Sequence, residues 1–188
     1  MRYILIGFSW LIVAIVAGVT GSVAQLRPPA PQLVLVAITV ALFAAWRFGS
    51  EFRIWLKNLG WRPVVALHLT RFVGFYFLYL YDRGNLPYAF AVPGGIGDII
   101  TATLASALIV WPSGVRRHPT LLFLWNLFGL IDIIFVVFTA ARLAIGDPMS
   151  MAALLRFPLS LLPTFLVPLI IASHLWLMRW KPGEERAV

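Results

Sequence analysis

The sequence predicts an all-α, polytopic transmembrane helical bundle of six spans, with a short interfacial amphipathic helix between spans two and three. Three observations predict it. Of 188 residues, 61% are hydrophobic and only 12% charged, against roughly 45–50% apolar and about 25% charged in soluble domains. The mean hydropathy is +0.91. The charges also fall between long apolar runs rather than within them.

A hydrocarbon core of roughly 30 Å takes about 20 residues of helix. Apolar runs meet or approach that length at 3–24, 31–46, 63–81, 97–111, 120–144 and 158–180. Spans two and four are short by this measure, so local bilayer thinning or their flanks would complete them. Prolines punctuate the joints at Pro28, Pro29, Pro31, Pro63, Pro87, Pro93, Pro112, Pro119 and Pro148. Residues 1–181 read as one transmembrane domain and 182–188 as a cytoplasmic tail.

Six spans divide the basic residues unequally. One face carries Arg2, Arg47, Arg53, Lys57, Arg62, Arg116, Arg117, Arg179, Lys181 and Arg186, and the other Arg27, Arg83, Arg142 and Arg156. The richer face is cytoplasmic by the positive-inside rule, which puts both termini inside. Trp46, Trp55, Trp61, Trp111 and Trp180 belong to that same face, as an aromatic belt would. A competing reading takes residues 1–24 as a cleaved signal peptide ending at Ser22-Val23-Ala24, though the apolar run is longer than such segments use. The +8 net charge is thus an orientation signal rather than a nucleic-acid footprint. The bilayer is the expected partner, with a membrane protein or a second copy of the chain as further candidates and no nucleic acid. No cysteine is present, which excludes disulfides, thiolate metal sites and covalently attached haem.

Between spans two and three, Phe52, Trp55, Leu56 and Leu59 recur at helical spacing, with Glu51, Arg53, Lys57 and Asn58 on the other positions. That pattern predicts a helix lying along the inner leaflet. Small residues at four-residue spacing, Ala14, Gly18 and Ser22 in span one and Gly97, Thr101 and Ala105 in span four, predict close helix approach.

Ionisable residues inside spans mark functional sites because the bilayer penalises them. They are His68 and Arg71 in span three, Asp98 at the start of span four, Asp132 in span five and His174 in span six, with Asn126 as a neutral companion. Helical rise sorts them into an inner layer (His68, Arg71, Asn126, His174) and an outer pair (Asp98, Asp132). The expected arrangement is a buried polar network of Arg71, Asp98, Asn126 and Asp132, in which Arg71 neutralises a carboxylate and hydrogen-bonds Asn126. It serves either to hold the bundle in register or as a ligand, ion or proton path. No cofactor or metal is expected from these residues. One alternative is a b-type haem held axially by His68 and His174.

The run Val92-Pro93-Gly94-Gly95-Ile96-Gly97-Asp98 reads as a glycine turn ahead of span four, with Asp98 capping the helix. Pro158, Pro163 and Pro168 predict a kinked sixth span. The motif Gly95-Ile96-Gly97-Asp98 resembles the GxGD signature of intramembrane aspartyl proteases, and Tyr81-Asp82 resembles the YD motif that accompanies it. That resemblance covers about twenty residues. It implies an aspartyl hydrolase whose catalytic pair is Asp82 and Asp98, with Pro158-Leu159-Ser160 in place of the family's PAL motif. As a whole the chain resembles the small uncharacterised multipass proteins of bacterial inner membranes. The leading expectation is a non-enzymatic membrane protein, a small transporter or an accessory subunit.

Overall fold

The computed structural model describes residues 2–180; the expected tail at 182–188 lies outside the described residues. It is all-helical among them. The helices are α1 (Arg2–Val19), α2 (Ala30–Phe48), α3 (Ser50–Leu59), α4 (Trp61–Leu67), α5 (Gly74–Asp82), α6 (Tyr88–Val110), α7 (Pro112–Arg117), α8 (Pro119–Gly146) and α9 (Val167–Leu177). A 3-10 segment, His68–Val73, joins α4 to α5, so that Trp61–Asp82 forms one continuous rod. Five rods are long and apolar enough to cross a membrane: α1, α2, α4–α5, α6 and α8.

The sixth apolar helix is shorter than expected, running Leu162–Leu177. It opens with a π-helical turn at Leu162–Leu166 before continuing as α9. Pro163 and Pro168 lack the amide donors that regular α geometry needs, and a widened turn is one way to accommodate that. The segment ahead of it, Pro148–Leu155, is a 3-10 stretch.

The expectation for span four is corrected. Val92 to Asp98 is not a turn before a helix; it lies inside α6, which starts at Tyr88 behind Pro87. Asp98 therefore caps nothing. Its glycines serve packing instead. A Cβ at Gly74 would collide with the Gly95 carbonyl and approach the Asp98 Cβ to 3.1 Å, so α5 and α6 run backbone against backbone there. A Cβ at Gly94 would lie 3.1 Å from Val136 of α8. Small residues allow such approach between apolar helices.

The amphipathic helix forms as α3, against which Tyr3 packs through Phe52 and Trp55, at 5.1 and 5.4 Å between ring centroids. The small-residue stripe of α6 turns inward, with Gly97, Thr101 and Ala105 buried, and so do Ala14 and Gly18 in α1, whereas Ser22, the third member of the α1 stripe, lies past the helix end and is exposed.

α6 is the central rod, flanked by α4–α5 and α8, while α9 packs between α8 and α2. α1 leans on the π turn, where Trp10 Nε1 donates to the Thr164 carbonyl (2.9 Å). Apolar burial is divided in two. One cluster gathers Trp61, Val65, Ala105, Leu108, Leu122, Trp125 and Trp176. The other gathers Phe77, Leu80, Phe90, Ala91, Ile133, Val136, Val167 and Ile170. On α6, α8, α9 and the α4–α5 rod the buried polar residues His68, Arg71, Asp98, Thr101, Asn126, Ser173 and His174 lie between these two clusters. That interruption is where the site lies.

Candidate functional site

Arg71 sits at the centre of the polar layer, 1% exposed. Its guanidinium spends its donors on three acceptors of two neighbouring rods. Nε donates to Asp98 Oδ1 of α6 (2.6 Å), Nη1 to the Gly129 carbonyl of α8 (3.0 Å) and Nη2 to Asp132 Oδ2 of α8. The planar fork of arginine makes this possible, since its donors point in fixed and different directions. Asp98 is 3% exposed. The Gly129 carbonyl is free to accept a second bond because a helical carbonyl has two lone pairs.

Gly97 is what admits Asp132. A Cβ at position 97 would overlap the Asp132 carboxylate, so the absent side chain is the space that the carboxylate occupies.

Beside this triad lies a second polar group. Asn126 Nδ2 donates to the backbone carbonyl of His174 (3.1 Å), which leaves its Oδ1 facing His174 Nδ1 at 2.8 Å. A carbonyl only accepts, so this fixes the amide orientation and makes Nδ1 the donor nitrogen of His174. The Ser173 hydroxyl donates its one proton to the Ile170 carbonyl (2.7 Å), so His68 Nε2, 3.0 Å from Ser173 Oγ, is the donor there. The other nitrogen of each ring, His68 Nδ1 and His174 Nε2, is buried without a partner. The two rings lie 4.3 Å apart between centroids, and Trp125 meets His68 edge-on at 4.8 Å. Trp125 Nε1 donates to the Thr101 carbonyl (3.0 Å). Gly129 again makes room, since a Cβ there would lie 2.6 Å from His174 Cε1.

The two expected layers are therefore one. Arg71 joins both carboxylates because Asp98 is ten residues into α6, about 15 Å from its first residue, within the rod rather than at its start. The expected Arg71–Asn126 bond is replaced: the Gly129 carbonyl, one turn along α8, takes the guanidinium, and Asn126 belongs to His174.

The two alternative sites do not assemble. Asp82 is exposed at the end of α5. Gly74 is the α5 residue level with Asp98, and eight residues of helix, about 12 Å, separate it from Asp82. Two carboxylates that far apart cannot share a proton. For haem, His68 Nε2 is engaged with Ser173, and rings 4.3 Å apart leave no slot for a porphyrin between them. Among the described residues no three His, Asp or Glu side chains gather as metal ligands.

Sequence reasoning missed Trp125, Ser173 and the role of Gly97 opposite Asp132. The first two stand next to Asn126 and His174, and those polar pairs in apolar runs were the available signal.

A cavity of about 1390 Å³ adjoins the triad. Arg71 and Asp98 are part of its lining, while its walls come from α2, α8 and the α9 region and are mainly apolar.

Residues 28–180, which include every residue of this layer, match the family model described as a domain of unknown function (DUF8737). The chain belongs to that family. No curated protein and no solved structure matches it. The DUF8737 match spans α2 to α9 and takes in the whole polar layer and the cavity walls from Pro28 onward, while α1 and the cavity-lining residues Ala24, Gln25, Leu26 and Arg27 lie ahead of it.

Proposed function

We propose that this DUF8737 chain is an integral membrane protein of a bacterial inner membrane, crossing it six times with both termini cytoplasmic, and that it works as a small transporter rather than an enzyme. The observation that carries the transport reading is the composition of the triad. One guanidinium stands between two carboxylates. When both are ionised, the cluster holds one negative charge in surplus, and in a bilayer interior that surplus calls for one proton or one monovalent cation. Intramembrane charges of this kind mark ion and proton paths.

The membrane reading draws on the outer surface. α1 turns Leu5, Phe8, Ile12 and Val13 outward, and α8 does so with Ile131, Ile134 and Phe138. Apolar area on that scale needs a non-aqueous partner. Leu162–Leu177 is sixteen residues, about 24 Å, and Leu161 with the turn at 157–160 supplies the remainder of a sixth crossing. The basic-rich ends also gather. Arg62 donates to the Ile109 carbonyl (3.2 Å), Arg179 lies over Trp46 at 5.2 Å and Trp61 meets Trp180 at 6.4 Å.

The test is flux through vesicles containing the purified chain and a trapped pH dye, under a proton gradient and under sodium and potassium gradients. Wild type should dissipate one of these faster than empty vesicles, and Asp132→Asn, which removes the surplus charge, should return the rate to that of empty vesicles. Wild-type vesicles as tight as empty ones to all three ions would overturn the transport reading and leave an accessory subunit as the alternative.

A further inference from the structure

The cavity is a site for an anionic phospholipid of the outer leaflet, we infer, with its acyl chains between α2, α8 and the α9 region and its phosphate at Arg27 and Arg156. The inference rests on the six-span orientation proposed above, which puts the α2 start and the α8 end at the outer face.

Four observations converge on this occupant. The first is shape. The cavity follows α8 from Ile133 to Ile145, twelve residues of helix or about 18 Å. One leaflet of hydrocarbon is half of roughly 30 Å. The cavity therefore has the depth of a lipid tail standing in its own leaflet. Its volume of about 1390 Å³ exceeds the roughly 300–1,000 Å³ that suits a compact ligand.

The second is the chemistry of the walls. Leu35, Val137, Leu154 and Ile171 are representative of an apolar lining, and the polar floor is closed. Arg71 and Asp98 are 1% and 3% exposed and satisfy one another. Gln32, near the α2 start, lines the cavity with a buried Oε1 that has no hydrogen-bond partner, and the walls beyond it are mainly apolar.

The third is the mouth. Arg27 and Arg156, both exposed, line the cavity from two different connections, one before α2 and one after the 3-10 stretch Pro148–Leu155. Neither side chain has an ion-pair, hydrogen-bond or ring partner among the described residues. The nearby carboxylate, Asp147, is turned to the Met149 amide (3.0 Å) and is not part of the lining. Two unpaired guanidinia over an apolar shaft complement an anion carried on hydrocarbon, and arginine is suited to phosphate in particular.

The fourth is the sparseness of positive charge on this face, which holds only Arg27, Arg83, Arg142 and Arg156. Placing two of four at one cavity mouth is a local arrangement, not the general basicity of a cytoplasmic surface.

The experiment is lipid titration of the full-length chain, purified and delipidated in a non-ionic detergent, followed by native mass spectrometry. Phosphatidylglycerol, phosphatidylcholine with the same acyl chains, and inorganic phosphate are the probes. With two basic side chains at the headgroup, wild type should bind phosphatidylglycerol about thirtyfold tighter than phosphatidylcholine at low salt. The Arg27→Gln/Arg156→Gln double variant, altered only at exposed positions, should bind both lipids alike. Inorganic phosphate should not displace either. Equal affinity of wild type for the two lipids, a preference that survives in the double variant, or displacement by phosphate alone overturns the site. A chain that resists alkaline extraction from membranes yet shows no lipid preference loses this site and keeps the membrane reading. Release by alkali removes both.

Discussion

Gly97 of α6 lies directly beneath the carboxylate of Asp132 of α8, and a side chain at 97 and the carboxylate at 132 cannot occupy that space together. The pairing of Arg71 with Asp132 thus depends on a residue that makes no polar contact through any side chain. Gly97→Ala should therefore destabilise the protein by more than the ~1–3 kcal/mol typical of overpacking, because it also displaces a partly buried carboxylate from its guanidinium. Adding Asp132→Ala should recover part of the loss, since the new methyl then fills the vacated space. Thermal melts in detergent would show it; equal melting of Gly97→Ala and wild type would refute the close approach.

The triad should respond unequally to removal of its members. Arg71→Met leaves a buried and a partly buried carboxylate without their cation and should destabilise by about 3–5 kcal/mol. Arg71→Lys should restore little of this, because an ammonium cannot serve Asp98, Gly129 and Asp132 in three fixed directions. Asp132→Asn keeps a neutral Arg71–Asp98 pair and should stay folded. Chemical unfolding curves of the three variants decide it. Asp132→Asn unfolding as readily as Arg71→Met would show that the carboxylate is structural glue only.

Asn126 and His174 are bonded twice, side chain to side chain and side chain to backbone. Asn126→Leu deletes both bonds and strands the His174 N–H in an apolar surrounding, at about 1–3 kcal/mol. It also frees the ring to rotate. In an indole-fluorescence measurement Trp125, 5.7 Å from His174 between centroids, should report the change, and an unaltered melting temperature would argue against the paired geometry.

The chain has no cysteine, so any introduced thiol is unique. Gln25→Cys, between α1 and α2, should react with a membrane-impermeant maleimide added outside intact cells. Ser113→Cys, between α6 and α8, should react only after lysis. Both reacting from one side would contradict the six-span arrangement with inside termini.

Apolar run length made the rods legible in the sequence, because length against bilayer thickness depends on composition alone. Rotation about each rod is not encoded that way. His68 and Arg71 share a helical face by spacing, yet nothing in the run says which neighbour that face meets. The largest misreading, at Val92 to Asp98, has the same physical root. Proline and glycine read as breakers by rules drawn from aqueous loops, whereas in an apolar setting unpaired backbone is so unfavourable that the helix continues through them. Once α6 is begun at Pro93 or later instead of Tyr88, Asp98 is assigned to the outer edge and its contact with Arg71 becomes invisible. The polar residues themselves were legible because each is an exception in its run.

The order in which the triad's members stand along the chain also bears on biogenesis. On the membrane reading proposed above, Arg71 reaches the bilayer first during synthesis, and a lone arginine at a span centre is opposed by ~2.5–3.5 kcal/mol on insertion scales. Asp98 follows 27 residues later, in the very next rod, so α4–α5 and α6 can enter as a helical hairpin that carries no net charge at its centre. Asp132 arrives afterwards on α8, without a cation of its own, and meets a guanidinium already committed to Asp98. The hairpin is thus a nascent docking surface for the rest of the chain, and Asp132 is the last of the triad to join it.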